Sequence, residues 1–167
     1  MDVLILLGSE SDLETGQEAT KIFDEFDISY ELHIASAHRT PSKVRSLVKR
    51  AETKGAKAVI AGAGMSAHLA GVVAGETLLP VIGIPMAGGP LNGIDALLST
   101  VNMPGGVPVA AVSIGKAGGK NAALFAARIM ALTDKRLMAK LEEYRDKMKE
   151  AVEESDRRIS GTGRKKA

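Results

Sequence analysis

One short stretch of the chain places a hydroxyl, an imidazole and a guanidinium within five residues, in Ser36-Ala37-His38-Arg39-Thr40. A guanidinium can bind an anion through two parallel hydrogen bonds, and an imidazole exchanges a proton near neutral pH. The alternative is a solvated loop in which Thr40 only caps the next helix. We interpret Ser36, His38 and Arg39 as candidates for anion binding and proton transfer.

A second polar stretch is Gly8-Ser9-Glu10-Ser11-Asp12, which follows an aliphatic run and precedes a helical pattern. Hydroxyls and backbone amides at the start of a helix suit a phosphate, because the helix dipole is positive there. The Asp12 carboxylate could accept hydrogen bonds from a ribose diol. Ser and Asp are also common helix caps, so a purely structural role for this turn stays open.

A third stretch, Gly62-Ala63-Gly64-Met65-Ser66-Ala67, fits the relaxed dinucleotide fingerprint G-x-G-x-x-A. It follows the third predicted strand instead of the first, and the next strand ends in Pro85 where a ribose-binding acid would be expected. Dinucleotide binding is therefore disfavoured. The adjacent His68 could contact a substrate or pack on a buried helix, whereas His33 lies inside a predicted strand and is interpreted as structural.

Cofactor chemistry has little support in the composition. The chain has no cysteine and only three scattered histidines, which excludes disulfides and thiolate nucleophiles and leaves few ligands for a metal. We expect no metal and no organic cofactor, so the chemistry must be accessible to acids and bases alone.

Aliphatic runs and helical periods alternate along the chain and predict five strand-then-helix units. The predicted strands are residues 3–7, 30–35, 57–61, 81–84 and 109–114. Six helices are predicted. The first starts at a Ser11-x-x-Glu14 capping box and the second at Thr40-Pro41. The others cover residues 66–78, residues 94–101, a segment after Gly115 and residues 134–155. Such an order predicts an α/β fold, a three-layer helix-sheet-helix sandwich with a parallel sheet of about five strands, flavodoxin- or Rossmann-like, with an extended C-terminal helix. Ligands of such sheets bind at the carboxyl ends of the strands, where the three polar stretches meet.

The charges are unevenly distributed. Between residues 58 and 115 only Glu76 and Asp95 are charged, but prolines and glycines interrupt every uncharged run, so no membrane span is expected. The length predicts a single domain, residues 1–156 including the C-terminal helix, which carries all the candidate catalytic residues. A basic and flexible tail, residues 157–167, is expected to follow it. The tail has no interleaved aromatics, so nucleic acid is not expected as a partner. The N-terminus lacks a basic leader, and the expected location is cytoplasmic.

Taken together, these motifs resemble the N5-carboxyaminoimidazole ribonucleotide mutase family, the catalytic subunit of phosphoribosylaminoimidazole carboxylase of the class I type. The resemblance covers residues 3–141 and is most specific in Ser36-Ala37-His38-Arg39-Thr40-Pro41. The other matching strings are Gly8-Ser9-x-Ser11-Asp12, Ala61-Gly62-Ala63-Gly64, Ala67-His68-Leu69, Asn102-Met103-Pro104, Ile114-Gly115-Lys116-Ala117-Gly118 and Asn121-Ala122-Ala123-Leu124.

The resemblance implies an isomerase that moves a carboxylate from the exocyclic nitrogen of an aminoimidazole ribonucleotide to ring carbon four, through carbon dioxide trapped in a closed pocket. It implies that His38 protonates the departing nitrogen and later removes the ring proton, with His68 as a second candidate catalytic residue. The implied substrate-binding residues are Ser11, Ser36 and Arg39 at the phosphate, Ser9 at the same end, Asp12 at the ribose, Gly64 at the carboxylate, and Gly8 beside them. The implied partners are further copies of the chain in an octamer and an ATP-dependent synthetase that makes the carbamate substrate.

Two alternatives stay open. A related branch carboxylates aminoimidazole ribonucleotide directly with free carbon dioxide and is similar to Ser-Ala-His-Lys in the second turn, so Arg39 and His68 favour the mutase. Ala70 and Gly88-Gly89-Pro90 depart from the usual mutase pattern. The other alternative is a non-catalytic, flavodoxin-like nucleotide-binding module, although a phosphorylated receiver would need an acidic cluster where this chain offers only Asp12.

Overall fold

We describe residues 1–66 and 68–160 of a computed structural model of the chain. Ala67, which completes the relaxed fingerprint, and three of the five tail bases (Arg164, Lys165 and Lys166) lie outside the described residues. Two compact units, residues 1–129 and 130–167, are described separately.

The first unit is built on a parallel sheet of five strands. The strands are β1 (Val3–Leu7), β2 (Tyr30–Ile34), β3 (Ala58–Ala63), β4 (Val81–Pro85) and β5 (Ala110–Ala111), in the spatial order β2-β1-β3-β4-β5. Every residue of β1, β3 and β4 is buried, as expected where helices cover both faces of a sheet. The predicted parallel α/β architecture is confirmed.

The fifth strand is much shorter than the predicted residues 109–114. Two further bonds join the following chain to β4, from the Val112 amide to the Gly83 carbonyl at 3.1 Å and from the Gly115 amide to the Pro85 carbonyl at 2.9 Å. The chain therefore follows β4 to its end, although only two of its residues form a regular strand.

Five helices of the first unit follow the strands. They are α1 (Leu13–Phe26), α2 (Pro41–Thr53), α3 (Leu69–Ala74), α4 (Ile94–Val101) and α5 (Lys116–Ala131). The bounds predicted for α4 are confirmed, whereas α3 is six residues long instead of the predicted 66–78. The backbone accounts for both ends, because His68 has a non-helical φ and ψ of −96° and 40° directly before α3, and Gly75 caps the helix directly after Ala74.

The capping box predicted for Ser11 and Glu14 is wrong. A short 3-10 helix, Glu10–Asp12, precedes α1, and Ser9 caps it instead. The Ser9 amide donates to Asp12 Oδ2 at 3.0 Å, while Ser9 Oγ accepts from the Ser11 amide at 3.4 Å. The capping box is therefore formed by Ser9 and Asp12, two residues before the predicted pair Ser11 and Glu14. The first turn after β1 is a 3-10 helix and not the start of α1.

Glycine allows α5 to approach α1 closely. A Cβ on Gly119 would lie 2.2 Å from the Thr15 carbonyl oxygen, and Thr15 is buried in α1. Backbone contact therefore replaces side-chain packing between these helices, as the scarcity of aromatics suggests.

The second unit consists mainly of α6 (Lys135–Ser160). Asp134 Oδ1 accepts from the Arg136 amide at 2.9 Å and from the Leu137 amide at 3.2 Å, so it caps the helix start. The helix continues to Ser160 beyond the predicted end at residue 155, so Arg157 and Arg158 of the predicted tail are helical. Among the described helices, none is long and apolar enough to cross a membrane.

Candidate functional site

Three turns meet at the carboxyl edge of the sheet, after β2, β1 and β3. Leu7 at the end of β1 is in register with Ile34 on one side and Gly62 on the other. The Gly8 amide donates to the Gly62 carbonyl at 2.9 Å, and Arg39 Nη2 donates to the Gly8 carbonyl at 3.1 Å. These contacts bring the turn after β1 together with the turns on both of its sides.

The turn after β1 holds a carboxylate in a fixed orientation. Asp12 Oδ2 accepts from the Ser9 amide at 3.0 Å, and Asp12 Oδ1 accepts from the Ser11 hydroxyl at 3.4 Å. Burial raises the pKa of Asp12, and the hydrogen bonds from Ser9 and Ser11 lower it by less. Each carboxylate oxygen keeps a further lone pair, so the group can still accept from two hydroxyls of a diol.

The turn after β2 is closed by Thr40. Its Oγ1 accepts from the Ser36 amide at 2.9 Å and lies 3.2 Å from the Ser36 carbonyl oxygen, to which it donates. The sequence analysis predicted that Thr40 caps α2. Thr40 does occupy the position before the helix, but its side chain donates no capping hydrogen bond there and none is accepted from the helix. The sequence analysis did not predict that the Thr40 hydroxyl bonds to the backbone of Ser36. The sequence signal for such a bond is a hydroxyl residue four positions after the start of a short loop.

The side chains carried by this turn are open to solvent. The Ser36 Oγ accepts a hydrogen bond from the Arg39 amide at 3.2 Å, which holds these two residues of the turn together. His38 and Arg39 are both exposed, and His38 forms no hydrogen bond to any residue in 1–66 or 68–160. Its two ring nitrogens are thus available to a substrate.

His33 has a different environment on β2. Its Nε2 lies 3.1 Å from Glu31 Oε2 and 3.0 Å from Arg50 Nη2. It belongs to a charged cluster between β2 and α2, which agrees with the structural role predicted for it.

The turn after β3 contains Gly64, followed by Met65 in a left-handed backbone conformation with a φ of 55°. A Cβ on Gly64 would approach Met86 Cβ to 3.5 Å, which is ordinary contact. Packing within the chain therefore does not require glycine at this position, in contrast with Gly62, where a Cβ would lie 2.2 Å from Met86 Cε.

His68 follows the same turn but contacts other elements. Its Nδ1 lies 3.0 Å from the Ser99 carbonyl oxygen in α4, and its ring rests on Gly71 in α3. No hydrogen bond within the described residues joins it to the turns after β1 or β2. The sequence analysis did not identify Ser99 or Gly71, because both act through their backbone.

Comparison with known proteins covers nearly the whole chain. The family model described as AIR carboxylase matches residues 2–151 and so includes all three turns. The N5-carboxyaminoimidazole ribonucleotide mutase of Bacillus subtilis is 51% identical over 151 residues, covering 90% of this chain and 93% of that protein. The mutase of Pyrococcus horikoshii is 48% identical over 159 residues, covering 95% and 89%. A crystal structure of Treponema denticola PurE superimposes with a TM-score of 0.85 at 34% identity, covering 97% and 98% of the two chains.

Proposed function

The chain belongs to the AIR carboxylase family, and from this membership we infer that it is an N5-carboxyaminoimidazole ribonucleotide mutase, an isomerase of purine biosynthesis. The reaction moves a carboxylate from the exocyclic nitrogen of the substrate to ring carbon four. The structural observation that carries the proposal is the hydrogen bond from Arg39 to the Gly8 carbonyl. It joins the two motif-bearing turns into one site.

Substrate binding is divided between these two turns. We assign the phosphate to Ser11, Ser36 and Arg39, because a guanidinium and two hydroxyls near the start of α1 match a dianion in charge and hydrogen bonding. Ser9 and Gly8 line the same end. The ribose hydroxyls bind the Asp12 carboxylate, which the Ser9 amide orients. The Ser11 hydroxyl donates to Asp12 in the free chain and turns to the phosphate when the substrate binds, because a hydroxyl has one proton to donate.

Proton transfer is assigned to His38, the exposed imidazole without a partner among the described residues. The protonated ring donates a proton to the exocyclic nitrogen as the bond from nitrogen to carbon breaks, which releases carbon dioxide and aminoimidazole ribonucleotide. Ring carbon four then attacks the carbon dioxide, and the neutral imidazole removes the proton from that carbon. The cycle returns His38 to its starting form, so the reaction is a net isomerisation.

Carbon dioxide must stay in place between the two steps. We assign its site to the turn that contains Gly64, where packing within the chain leaves room beside the backbone. Holding the molecule there makes its recapture intramolecular, which is worth several kcal/mol of the barrier, roughly 7–11 in the best cases.

We also propose a cytoplasmic octamer that receives its carbamate substrate from an ATP-dependent synthetase. Three apolar residues of α4, Ile94, Leu98 and Val101, share one face of the helix and are each about half exposed. They belong to the segment of residues 58–115, which contains only two charged residues and other exposed apolar side chains. Contact with further copies of the chain would remove this surface from water.

The test is a pair of spectroscopic assays on the purified chain, with the His38→Asn variant as the background control. One assay supplies N5-carboxyaminoimidazole ribonucleotide, and the other supplies aminoimidazole ribonucleotide with bicarbonate. We expect rapid turnover only in the first. Turnover only in the second would identify a direct carboxylase, and nucleotide binding without turnover in either would identify a binding module.

A further inference from the structure

We infer that His68 positions the turn after β3 against α4 and does not itself transfer a proton. The inference rests on the proposed function only for its activity measurements. The imidazole Nδ1 lies 3.0 Å from the carbonyl oxygen of Ser99, 31 residues away. The Ser99 hydroxyl oxygen lies farther from the same nitrogen, at 3.5 Å. The carbonyl oxygen is the closer partner and can only accept, so we place the proton of the neutral ring on Nδ1.

The acceptor has no partner within its own helix. Ser99 lies in the last turn of α4, where the final four carbonyl groups cannot bond within the helix. The neighbouring carbonyls of Leu98 and Val101 accept from the amides of Asn102 and Met103, at 3.2 and 3.0 Å. The imidazole of His68 supplies the donor for Ser99 and so completes the end of α4.

The other side of the ring rests on backbone. An ideal Cβ on Gly71 would lie 1.9 Å from Nε2 and 2.2 Å from Cε1 of His68. Gly71 is buried in α3, and any side chain there would displace the imidazole. The two nitrogens are therefore accounted for, since one donates to Ser99 and the other lies against Gly71.

His68 also connects this contact to the candidate site. Its carbonyl accepts from the Val72 amide at 2.9 Å and so begins α3, while its own chain continues directly from the turn that contains Gly64. One residue thus joins the start of α3, the end of α4 and the turn assigned to carbon dioxide. Loss of the contact would let this turn move relative to His38, and a displacement of about 1 Å can cost about 100-fold in rate.

The test compares His68→Asn with His68→Leu, two side chains of similar size. The asparagine amide can occupy the place of Nδ1 and donate to Ser99, whereas leucine cannot. We expect His68→Leu to lose about 100-fold in kcat, with little change in KM because the phosphate and ribose groups lie on the other turns. His68→Asn should recover most of that loss and keep the pH profile of the wild type.

Two activity results would overturn the inference. The first is an asparagine variant as inactive as the leucine variant, or one whose pH profile has lost a limb, since either would make His68 a proton-transfer group. The second is a leucine variant with wild-type kcat. Gly71→Ala gives an independent check, because it keeps the imidazole but displaces it, and we expect it to lower kcat as His68→Leu does.

A measurement on the wild type does not depend on activity. Solid-state 15N NMR of histidine-labelled protein distinguishes the two neutral tautomers, and the His68 signals are those missing from His68→Asn. We expect a protonated Nδ1 and an unprotonated Nε2 at neutral pH. The opposite tautomer would overturn the inference, whereas an inactive wild type with the expected tautomer would overturn only the proposed function.

Discussion

His38 and Asp12 differ in how the chain holds their side chains. The exposed imidazole of His38 has no hydrogen bond to the described residues, so both ring nitrogens can contact a substrate. Asp12 is held by the Ser9 amide and the Ser11 hydroxyl, and burial raises its pKa. The first group is suited to transfer protons and the second to orient a ribose.

Replacing His38 with asparagine should separate binding from chemistry. His38→Asn keeps a polar side chain at the tip of a turn that Thr40 closes, so Kd for the ribonucleotide should change little. The variant cannot donate and recover a proton, and kcat should fall by at least about 100-fold. Isothermal titration and the carbamate assay measure the two quantities, and turnover at the wild-type rate would refute the role of His38.

Gly64 offers a second test at the scale of one residue. Gly64→Ala places a methyl group in ordinary contact with Met86, so the variant should be as stable as the wild type or up to about 1 kcal/mol more stable. The same methyl group would occupy space assigned to carbon dioxide, and kcat should fall.

The matched control for this substitution is Gly105→Ala, whose added Cβ would meet no atom within 4 Å. It should leave kcat unchanged, and its free energy of unfolding should rise by up to about 1 kcal/mol, as for Gly64→Ala. If Gly64→Ala were as active as this control, the turn after β3 would not hold the carboxylate.

Among the elements, β2 and α2 flank the turn that carries Ser36, His38 and Arg39. Glu31 on β2 pairs with Lys54 at the end of α2, at 2.7 Å, and with Arg50. The hydrogen bonds from Lys54 and then His33, with the charge of Arg50, lower the pKa of Glu31 to about 2. These ion pairs join the C-terminal end of α2 to β2. At the N-terminal end of α2, Thr40 closes the turn that connects the two elements.

Acid should release this cluster. The pKa of Glu31 is lower in the folded chain than its ordinary 4.5, so its stabilisation is complete above about pH 4.5 and is lost as the pH falls toward 2. Glu31→Gln should therefore lower the free energy of unfolding by about 1 kcal/mol at pH 7. The difference from the wild type should shrink through that pH window.

Chemical denaturation at several pH values measures this effect, with Glu25→Gln as the control. Glu25 is exposed, and its carboxylate has no ion pair with any described residue. A constant difference between Glu31→Gln and the wild type down to pH 2 would contradict the assignment.

At the scale of the whole molecule, the unusual feature is apolar surface on α4. Ile94, Leu98 and Val101 are spaced by four and three residues and so lie on one helical face. Each is between 52% and 53% exposed. A single chain leaves this face in water, which is the reason to expect further copies of it in the working assembly.

Leu98→Glu should therefore reduce the size of the assembly without unfolding the chain. Mass photometry of the wild type should give an octamer of the 17.5 kDa chain, and the variant should give smaller species with an unchanged circular dichroism spectrum. Leu78→Glu is the control, because Leu78 is fully exposed and lies off this face. An octamer that survives Leu98→Glu would remove α4 from the interface.

Local pattern in the sequence was sufficient for the parallel α/β sheet, the bounds of α4 and the grouping of the turns after β1 and β2. Each of these depends on residues within a few positions of one another, or on the rule that parallel strands end at one edge. The sequence offered two serines at capping-box spacing, Ser9 before Asp12 and Ser11 before Glu14, and only the structure decided between them. Tertiary structure also decided that α3 is short and that the His68 ring meets Ser99 and Gly71. An imidazole finds its acceptor through space, here across 31 residues, and no spacing in the sequence specifies which backbone carbonyl is left unpaired there.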